Sequence, residues 1–193
     1  MKSFGLPICL LIASTLGSGI ASAQGLHWPM VFQTRPINRL APYVSTPQNV
    51  VEEMLKAVDI KPNEMVYDLG SGDGRVVITA AEKYGARAVG VEISRKEVDA
   101  SREKIAQAKL EKRVKIVEAD IMTVNLSEAD VVTMYLLTSS NDLLRPNLEK
   151  YLKPGARVVS HDYPIRGWEP KRVHQVEALK RVHHLYIYEM PAK

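Results

Sequence analysis

Three glycines at alternate positions form the stretch of the sequence with the clearest chemical meaning. Gly70, Gly72 and Gly74 follow a short apolar run that ends at Leu69, and a second apolar run opens after Arg75. Glycine lets a backbone turn tightly and lets a ligand approach without a Cβ in the way. A glycine loop between the end of a strand and the N-terminus of a helix is typical of nucleotide-cofactor sites. The alternative is a glycine-rich turn that binds nothing, since short glycine motifs have low specificity.

The residues around these glycines narrow the kind of cofactor. A dinucleotide fingerprint needs a third glycine at position 75, which is Arg75, and the Gly-Lys-Ser/Thr of a phosphate-binding loop is missing. Asp68 stands two residues before Gly70. Its charge would repel a pyrophosphate and attract a cation such as an amino acid ammonium or a sulfonium. Asp68 as a local turn acceptor is the alternative. The loop therefore favours a cofactor with a cationic, amino-acid-like part.

Two further acidic residues stand at the ends of successive predicted strands. Glu92 ends the second strand, where a carboxylate can accept hydrogen bonds from both ribose hydroxyls of a nucleoside. Asp120 ends the third, where it can accept from an adenine amino group while Ile121 or Met122 packs on the ring. Each could instead be a helix cap. Because ligands bind outside the carboxyl ends of parallel strands, these two residues and Asp68 together predict one ligand site.

Alternating strands and helices position these residues. An amphipathic helix is predicted over residues 47–58, with Ser45 or Thr46 as its cap. The predicted strands then cover residues 65–69, 86–93, 114–119, 129–137 and 157–162, and the helices between them cover 74–84, 94–110 and 140–152. The runs 172–179 and 182–190 have no helix between them and predict an antiparallel hairpin. The fold class is therefore α/β, a mostly parallel seven-stranded sheet with helices on both faces.

The N-terminus has the pattern of a secretory signal. Lys2 precedes an apolar run over residues 4–16, and small residues follow up to Ala23, after which we expect cleavage and export to the periplasm. An uncleaved membrane anchor, or a cytoplasmic protein that starts at Met30, is the alternative. The predicted organisation is a signal over 1–23, an irregular arm over 24–46 and one domain over 47–193. No stable membrane span is expected after cleavage.

Composition excludes some classes of site. The only cysteine, Cys9, lies in the predicted signal, so a mature chain would have no disulfide, thiolate metal site or cysteine nucleophile. The net charge of +4 is scattered along 193 residues. A nucleic-acid binder would show a concentrated basic face. We therefore expect no nucleic-acid partner.

The segment from Tyr67 to Gly74, with Val91-Glu92 and Ala119-Asp120, resembles the class I S-adenosylmethionine-dependent methyltransferases over residues 43–190. Further stretches are similar to small bacterial relatives of the mitochondrial protein-lysine methyltransferases that act on adenine nucleotide translocase and the ATP synthase c subunit. These stretches are residues 42–47, 68–77, 135–137 and 158–162. The resemblance implies a Rossmann-like methyltransferase fold, S-adenosyl-L-methionine as cofactor and a protein or peptide substrate.

The resemblance also implies roles for individual residues. Asp68 and the loop glycines would hold the methionine part of the cofactor, Glu92 the ribose and Asp120 the adenine. Tyr135, just past the fourth strand, would face the transferred methyl group as the catalytic residue; an aromatic core residue is the alternative. The full set of implied cofactor contacts is Tyr43, Thr46, Asp68, Gly70, Ser71, Gly72, Asp73, Gly74, Glu92, Asp120 and Ile121.

No strong general base stands out. His161 and Asp162 are candidates at the end of the fifth strand, but a structural role is favoured because the resembled family does not depend on an acid–base pair. His183 and His184 lie on alternate faces of a strand and cannot jointly bind a metal, so no metal site is predicted. The Asn/Asp-Pro-Pro-Tyr motif of amino-methylating nucleic-acid enzymes is missing after the fourth strand, which argues against DNA adenine methylation.

The favoured function is thus methylation of protein lysine. A lysine amine must lose its proton before it can attack, and desolvation in a closed channel favours this by lowering its pKa. Tyr135 or a backbone carbonyl could orient the amine. The alternatives are a small-molecule methyltransferase and an exported protein that binds S-adenosylmethionine or a nucleoside without catalysis. The methyl acceptor and the oligomeric state stay open.

Overall fold

The protein alternates strands and helices as the sequence predicts. A computed structural model describes residues 44–192. In chain order the elements are α1 (Gln48–Ala57), β1 (Met65–Leu69), α2 (Arg75–Tyr84), β2 (Arg87–Glu92), α3 (Arg95–Gln107), β3 (Val114–Glu118), a 3₁₀ helix (Ile121–Thr123), β4 (Val131–Met134), α4 (Thr138–Tyr151), β5 (Arg157–His161), β6 (Arg172–Ala178) and β7 (Arg181–Glu189). Within this part of the chain, no helix combines the length and apolarity needed to cross a membrane. The predicted signal, most of the predicted arm and Tyr43 lie outside the described residues.

The strands form one seven-stranded sheet in the order β3-β2-β1-β4-β5-β7-β6. Strands β1 to β5 are parallel, whereas β7 runs antiparallel to both β5 and β6. The predicted α/β fold class and the terminal hairpin are therefore confirmed. The strand order reverses between β1 and β4, and ligands of open α/β sheets bind at such a switch point, outside the carboxyl ends of the strands.

Helices cover both faces of the sheet, and β1 is buried along its whole length for this reason. Its side chains alternate between two apolar cores. Val66 packs in the core that α1, α2 and α3 cover, while Tyr67 and Leu69 pack in the core that α4 covers. The carboxyl end of β1 lies at the open edge of the sheet, which is the edge formed by the carboxyl ends of the parallel strands. Asp68 and the glycines that follow β1 therefore lie at this open edge.

The hairpin brings β7 to the same edge. His161, the last residue of β5, pairs with Leu185 of β7. Because the two strands are antiparallel, residues 181–184 extend beyond the carboxyl end of β5. The start of β7 therefore lies beside the loops that follow β4 and β5.

Two local predictions were wrong. The predicted strand over residues 129–137 is shorter, because the chain leaves the sheet after Met134 and enters α4 at Thr138. Neither Ser45 nor Thr46 caps α1: its N-cap residue is Pro47, and no side chain accepts a hydrogen bond there. The Thr46 hydroxyl instead lies 3.3 Å from Nδ1 of His161. Thr46 is thus committed to a tertiary contact at the open edge of the sheet.

Candidate active site

The glycine loop turns at the carboxyl end of β1 and feeds α2. All three of its glycines have positive φ, with 78° at Gly74, the residue that precedes α2. A Cβ on Gly74 would also lie 3.0 Å from the Cβ of Ser101 in α3. The amides of Gly70 and Ser71 donate to the carbonyl of Val91, at 2.9 and 3.0 Å. The loop is therefore fixed against β2, and glycine is needed at its entry to the helix.

Gly90 in β2 is a part of this loop's support that sequence reasoning missed. A Cβ at Gly90 would lie 2.6 Å from the hydroxyl oxygen of Ser71 and 2.6 Å from a methyl of Ile116. Ser71, predicted as a cofactor contact, is thus buried against β2. The available signal was a glycine inside an otherwise apolar strand, which often marks a close approach of another chain segment.

Asp68 is a buried carboxylate with one close polar partner. Asp68 is 5% exposed, and its Oδ1 accepts a hydrogen bond of 2.7 Å from the Thr133 hydroxyl. Burial raises the pKa of Asp68 to about 7, and the nearby charges of Glu92 and Asp73 add to this effect against the Thr133 hydrogen bond. No cationic side chain of residues 44–192 is among the groups that shift it. A cationic ligand group would therefore complete this site.

Glu92 is also buried, and it binds the glycine loop directly. Its Oε2 accepts from the amide of Gly72 at 2.9 Å, while Oε1 accepts from the amides of Ile93 and Ser94 at 2.9 and 2.8 Å. An ionised carboxylate has about four acceptor positions, so one more hydrogen bond can form. The geometry leaves room for one ribose hydrogen bond next to the loop rather than the two expected from the sequence, and that contact stays a prediction.

Asp73 is committed to its own chain. Its carboxylate accepts from Nε and Nη2 of Arg75, both at 2.9 Å, and from Nζ of Lys104 at 2.8 Å. Burial alone would raise the pKa of Asp73, but these two cations outweigh it and hold the pKa well below its usual range. Arg75 also donates to the backbone carbonyl of Thr46 at 2.7 Å, which ties the segment before α1 to the loop. The predicted contact of Asp73 with a cofactor stays a prediction.

Asp120 lies at the same edge, after β3, and both interpretations from the sequence remain compatible with its place. It is the N-cap residue of the 3₁₀ helix, and Oδ1 accepts from the amide of Met122 at 2.9 Å. Ile121 is buried beside it, and Met122 packs on the core that α4 covers. The cap fixes the direction in which the Asp120 carboxylate points, so it could also position this group for a ligand.

Tyr135 follows the last residue of β4 and belongs to neither apolar core among the described residues. It is half-buried, and its ring lies 3.9 Å from the ring of His161 and 6.1 Å from that of Tyr163. Its hydroxyl oxygen lies 3.5 Å from Oδ2 of Asp162. The hydroxyl is therefore at the edge of the sheet, beside the end of β5, where a substrate group could reach it.

The structure brings His183 to His161 and Asp162, a grouping that the sequence did not predict. Nε2 of His161 lies 2.7 Å from Nδ1 of His183, and that nitrogen lies 3.0 Å from Oδ2 of Asp162. His184 projects to the opposite face, where it stacks on Tyr186, so the predicted alternation of the two histidines is confirmed. The grouping could not be read from sequence, because it depends on the register of β5 against β7.

Comparisons with known proteins agree with this geometry. Residues 68–172 match the family model of the ANTKMT methyltransferase domain. The chain belongs to this methyltransferase family. It is 47% identical over 148 residues to a protein-lysine N-methyltransferase of Saccharolobus islandicus, a match that covers 76% of this chain and 92% of that protein. It is 34% identical over 166 residues to the adenine nucleotide translocase lysine N-methyltransferase of Mus musculus, covering 84% of this chain and 72% of that protein.

Among solved structures, this methyltransferase is similar to an RNA methyltransferase from Salinibacter ruber in complex with S-adenosyl-L-homocysteine. The TM-score is 0.74 at 41% identity, and the match covers 78% of this chain and 95% of that chain. The resemblance stated from the motifs is therefore confirmed, as are the Rossmann-like methyltransferase fold and the use of S-adenosyl-L-methionine.

The described residues of this methyltransferase fit that cofactor. Asp68 offers a buried negative charge that lacks a cationic partner in the described part of the chain, which suits the positive groups of the methionine part. The backbone of the glycine loop can approach a ligand closely, and Glu92 and Asp120 stand at the ends of the next two strands for the nucleoside. These are the residues that would hold the cofactor.

Proposed function

We propose that this methyltransferase methylates the side-chain amine of lysine in a protein. The observation that carries the proposal is the 47% identity to a protein-lysine N-methyltransferase over nearly the whole of that relative. The similarity to a second lysine methyltransferase, from Mus musculus, supports the same acceptor. The site is compatible with this acceptor, because it presents a half-buried hydroxyl, that of Tyr135, at the open edge.

The chemistry requires orientation more than acid–base catalysis. When bound, S-adenosylmethionine supplies a reactive methyl group: the lone pair of a neutral amine forms the N–C bond, and the C–S electron pair returns to sulfur. The Tyr135 hydroxyl can accept a hydrogen bond from an amine N–H and so direct the nitrogen lone pair away from itself. Burial of the lysine side chain lowers its pKa, so its proton leaves to solvent before attack.

The histidine nearest to Tyr135 is unsuited to hold that proton at neutral pH. His161 is fully buried, and burial lowers its pKa to about 4, although the charge of Asp162 acts in the opposite direction. A neutral imidazole with so low a pKa is a weak base toward a lysine ammonium. His161 therefore supports the site as a neutral ring packed against Tyr135.

RNA is the second candidate acceptor, because the similar solved structure at 41% identity is that of an RNA methyltransferase. The scattered positive charge of this chain favours protein over RNA, since RNA binding depends on basic groups concentrated along one surface. The two acceptors need different recognition and can be separated directly.

The test is transfer of labelled methyl groups from S-adenosylmethionine to total protein and total RNA from one cell extract. We expect protease-sensitive label that hydrolysis releases as methylated lysine. The label should fall strongly but measurably in Tyr135→Phe and be kept in His174→Gln, a substitution on β6 outside the site. Label sensitive to ribonuclease would refute the proposal in favour of RNA. Binding of S-adenosylhomocysteine without transfer to either fraction or to the small-molecule fraction would indicate a non-catalytic binder.

A further inference from the structure

Asp162 is the centre of a hydrogen-bonded cluster at the acceptor side of the site. It follows β5 with a left-handed φ of 60°, and its side chain is 11% exposed. Oδ1 accepts from the backbone amide of His184 at 2.9 Å, whereas Oδ2 contacts the Arg181 guanidinium and lies 3.0 Å from Nδ1 of His183. The carboxylate is thus fixed by contacts from β7, and its Oδ2 is also the oxygen that faces the Tyr135 hydroxyl.

Further buried groups pack against this cluster and support it. His161 and His183 are 0% and 3% exposed and contact each other at 2.7 Å. Nδ1 of His161 lies 3.3 Å from the hydroxyl of Thr46, which is 6% exposed. The His161 ring also packs against Tyr135. Three separate segments of the chain, those of Thr46, His161 and His183, therefore support the phenol and the carboxylate.

The spacing fits hydrogen bonds better than a metal ion. His161, Asp162 and His183 place one ligand atom each within 4.8 Å of one another. However, the two imidazole nitrogens are at hydrogen-bond distance, and ligands of a tetrahedral zinc at about 2.0 Å would stand roughly 3.3 Å apart. The Arg181 guanidinium already occupies the Asp162 oxygen that a metal would use.

We propose that Asp162 is a positioning residue that acts through Tyr135. Asp162 Oδ2 lies 3.5 Å from the phenol oxygen and attracts the hydroxyl hydrogen, while the Arg181 guanidinium also hydrogen-bonds to the phenol. One lone pair of the phenol oxygen is then left to face the substrate amine. The amine then donates one N–H to Tyr135, and its own lone pair stays free for attack. This inference rests on the proposed role of Tyr135 toward the acceptor, and it assigns His183, His161 and Thr46 the task of fixing the carboxylate.

A hydroxyl has one hydrogen and two lone pairs, so whichever group takes the hydrogen decides what the oxygen offers. Three contacts from β7 restrain the Asp162 carboxylate. The carboxylate therefore cannot rotate, and the Tyr135 hydroxyl must orient its hydrogen toward it. The arrangement is therefore set before the substrate arrives, and such preorganisation of reacting groups lowers the barrier of the transfer step.

Asp162→Asn is the most direct test, because asparagine tolerates a left-handed backbone and keeps the acceptor for the His184 amide. The new NH₂ group facing Tyr135 would donate to the phenol oxygen and occupy a lone pair. We expect kcat for methyl transfer to fall about 10- to 100-fold, as for a misplaced reacting group. The Kd of S-adenosylhomocysteine should not change. His183→Gln should lower kcat in the same direction, whereas His174→Gln on β6 is the matched control and should not.

A double-mutant cycle separates this inference from the proposed function. In a Tyr135→Phe background, Asp162→Asn should cause no further loss of kcat. If Tyr135→Phe alone leaves kcat unchanged, the role of Tyr135 toward the acceptor is wrong. If Tyr135→Phe lowers kcat and Asp162→Asn lowers it by its full factor again, Asp162 acts independently and only the present inference is overturned.

A spectroscopic measurement on the protein without ligand tests the same contact without turnover. Burial raises the pKa of Tyr135, the charge of Asp162 raises it further, and Arg181 opposes them. The ring carbon bonded to the hydroxyl, observed by ¹³C NMR with labelled tyrosine, should report a lower pKa for Tyr135 in Asp162→Asn and no change in His174→Gln. An unchanged pKa in Asp162→Asn would overturn the inference.

Discussion

Asp68 and Asp162 are two carboxylates at one edge of the sheet, and their surroundings differ in kind. Asp68 has a neutral hydroxyl as its close partner, and burial raises its pKa to about 7. Burial would raise the pKa of Asp162 as well, but the His184 amide and the two histidines outweigh it and lower the pKa. The negative charge of Asp162 is thus stabilised by groups around it, whereas the negative charge of Asp68 is not.

This difference indicates what completes each carboxylate. Arg181 and His183, which belong to the chain, complete Asp162, so it is already fixed in the protein without ligand. No cationic side chain of residues 44–192 is among the groups that shift the pKa of Asp68, which leaves this role to a ligand. A buried charge without a partner costs stability, and its retention is typical of binding and catalytic sites.

The largest effect in this comparison is expected for Asp68→Asn. The substitution keeps size and removes the charge, so it loses a charge-assisted contact of about 1.5–3 kcal/mol, or roughly 10- to 100-fold in affinity. Isothermal titration with S-adenosylhomocysteine would measure the loss. Asp99→Asn, at an exposed ion pair with Arg95 in α3, is the matched control and should bind normally. Equal affinities of Asp68→Asn and the unaltered protein would contradict the role of Asp68.

The pKa of Asp68 gives a second prediction: stability and ligand affinity should depend on pH in opposite directions. Because the folded pKa of about 7 exceeds the ordinary value of 3.8, the folded state binds more protons between these values, and its stability falls as pH rises through this range. A cationic ligand favours the ionised form, so affinity should rise with pH up to about 7 and fall about tenfold per pH unit well below it.

Titrations from about pH 5 to pH 8 would measure the pH dependence of affinity. Asp68→Asn serves as the control, since it lacks the titrating group and its affinity should not follow this trend. An identical pH dependence of affinity in both proteins would show that another group titrates.

The two carboxylates also differ in how far sequence reasoning could reach them. Asp68, Glu92 and Asp120 each lie at or next to the carboxyl end of a strand, so the alternation of strands and helices was enough to place them at one edge. The cluster around Asp162 depends on the pairing of His161 with Leu185 across an antiparallel register, which no local pattern specifies. For the same reason the sequence does not reveal the contact of Thr46 with His161 at the end of β5, since the two residues are far apart in the chain.

Thr133→Val removes the hydroxyl that donates to Asp68 and should have a smaller effect. The hydroxyl lowers the pKa of Asp68, so its loss should raise that pKa further and reduce the ionised fraction at neutral pH. A hydrogen bond contributes about 0.5–1.5 kcal/mol, which corresponds to a loss of affinity for S-adenosylhomocysteine of roughly 2- to 10-fold at pH 7. The loss should disappear at higher pH, where Asp68 is ionised in both proteins. A loss that persists at every pH would indicate a change of shape instead.

The smallest effect is expected at Asp73, a third carboxylate, which sits in the loop near Asp68 and is compensated like Asp162. Lys104→Met removes an ion pair whose lysine side chain is 48% exposed, and Arg75 continues to hold Asp73. Exposed pairs contribute about 0–1 kcal/mol, so the free energy of unfolding in urea should fall by no more than about 1 kcal/mol. Affinity for S-adenosylhomocysteine should not change, because Asp68, and not Asp73, is the carboxylate that we expect to pair with a cationic group of the ligand. A large loss of affinity in Lys104→Met would show instead that the compensated carboxylate of the loop also takes part in binding.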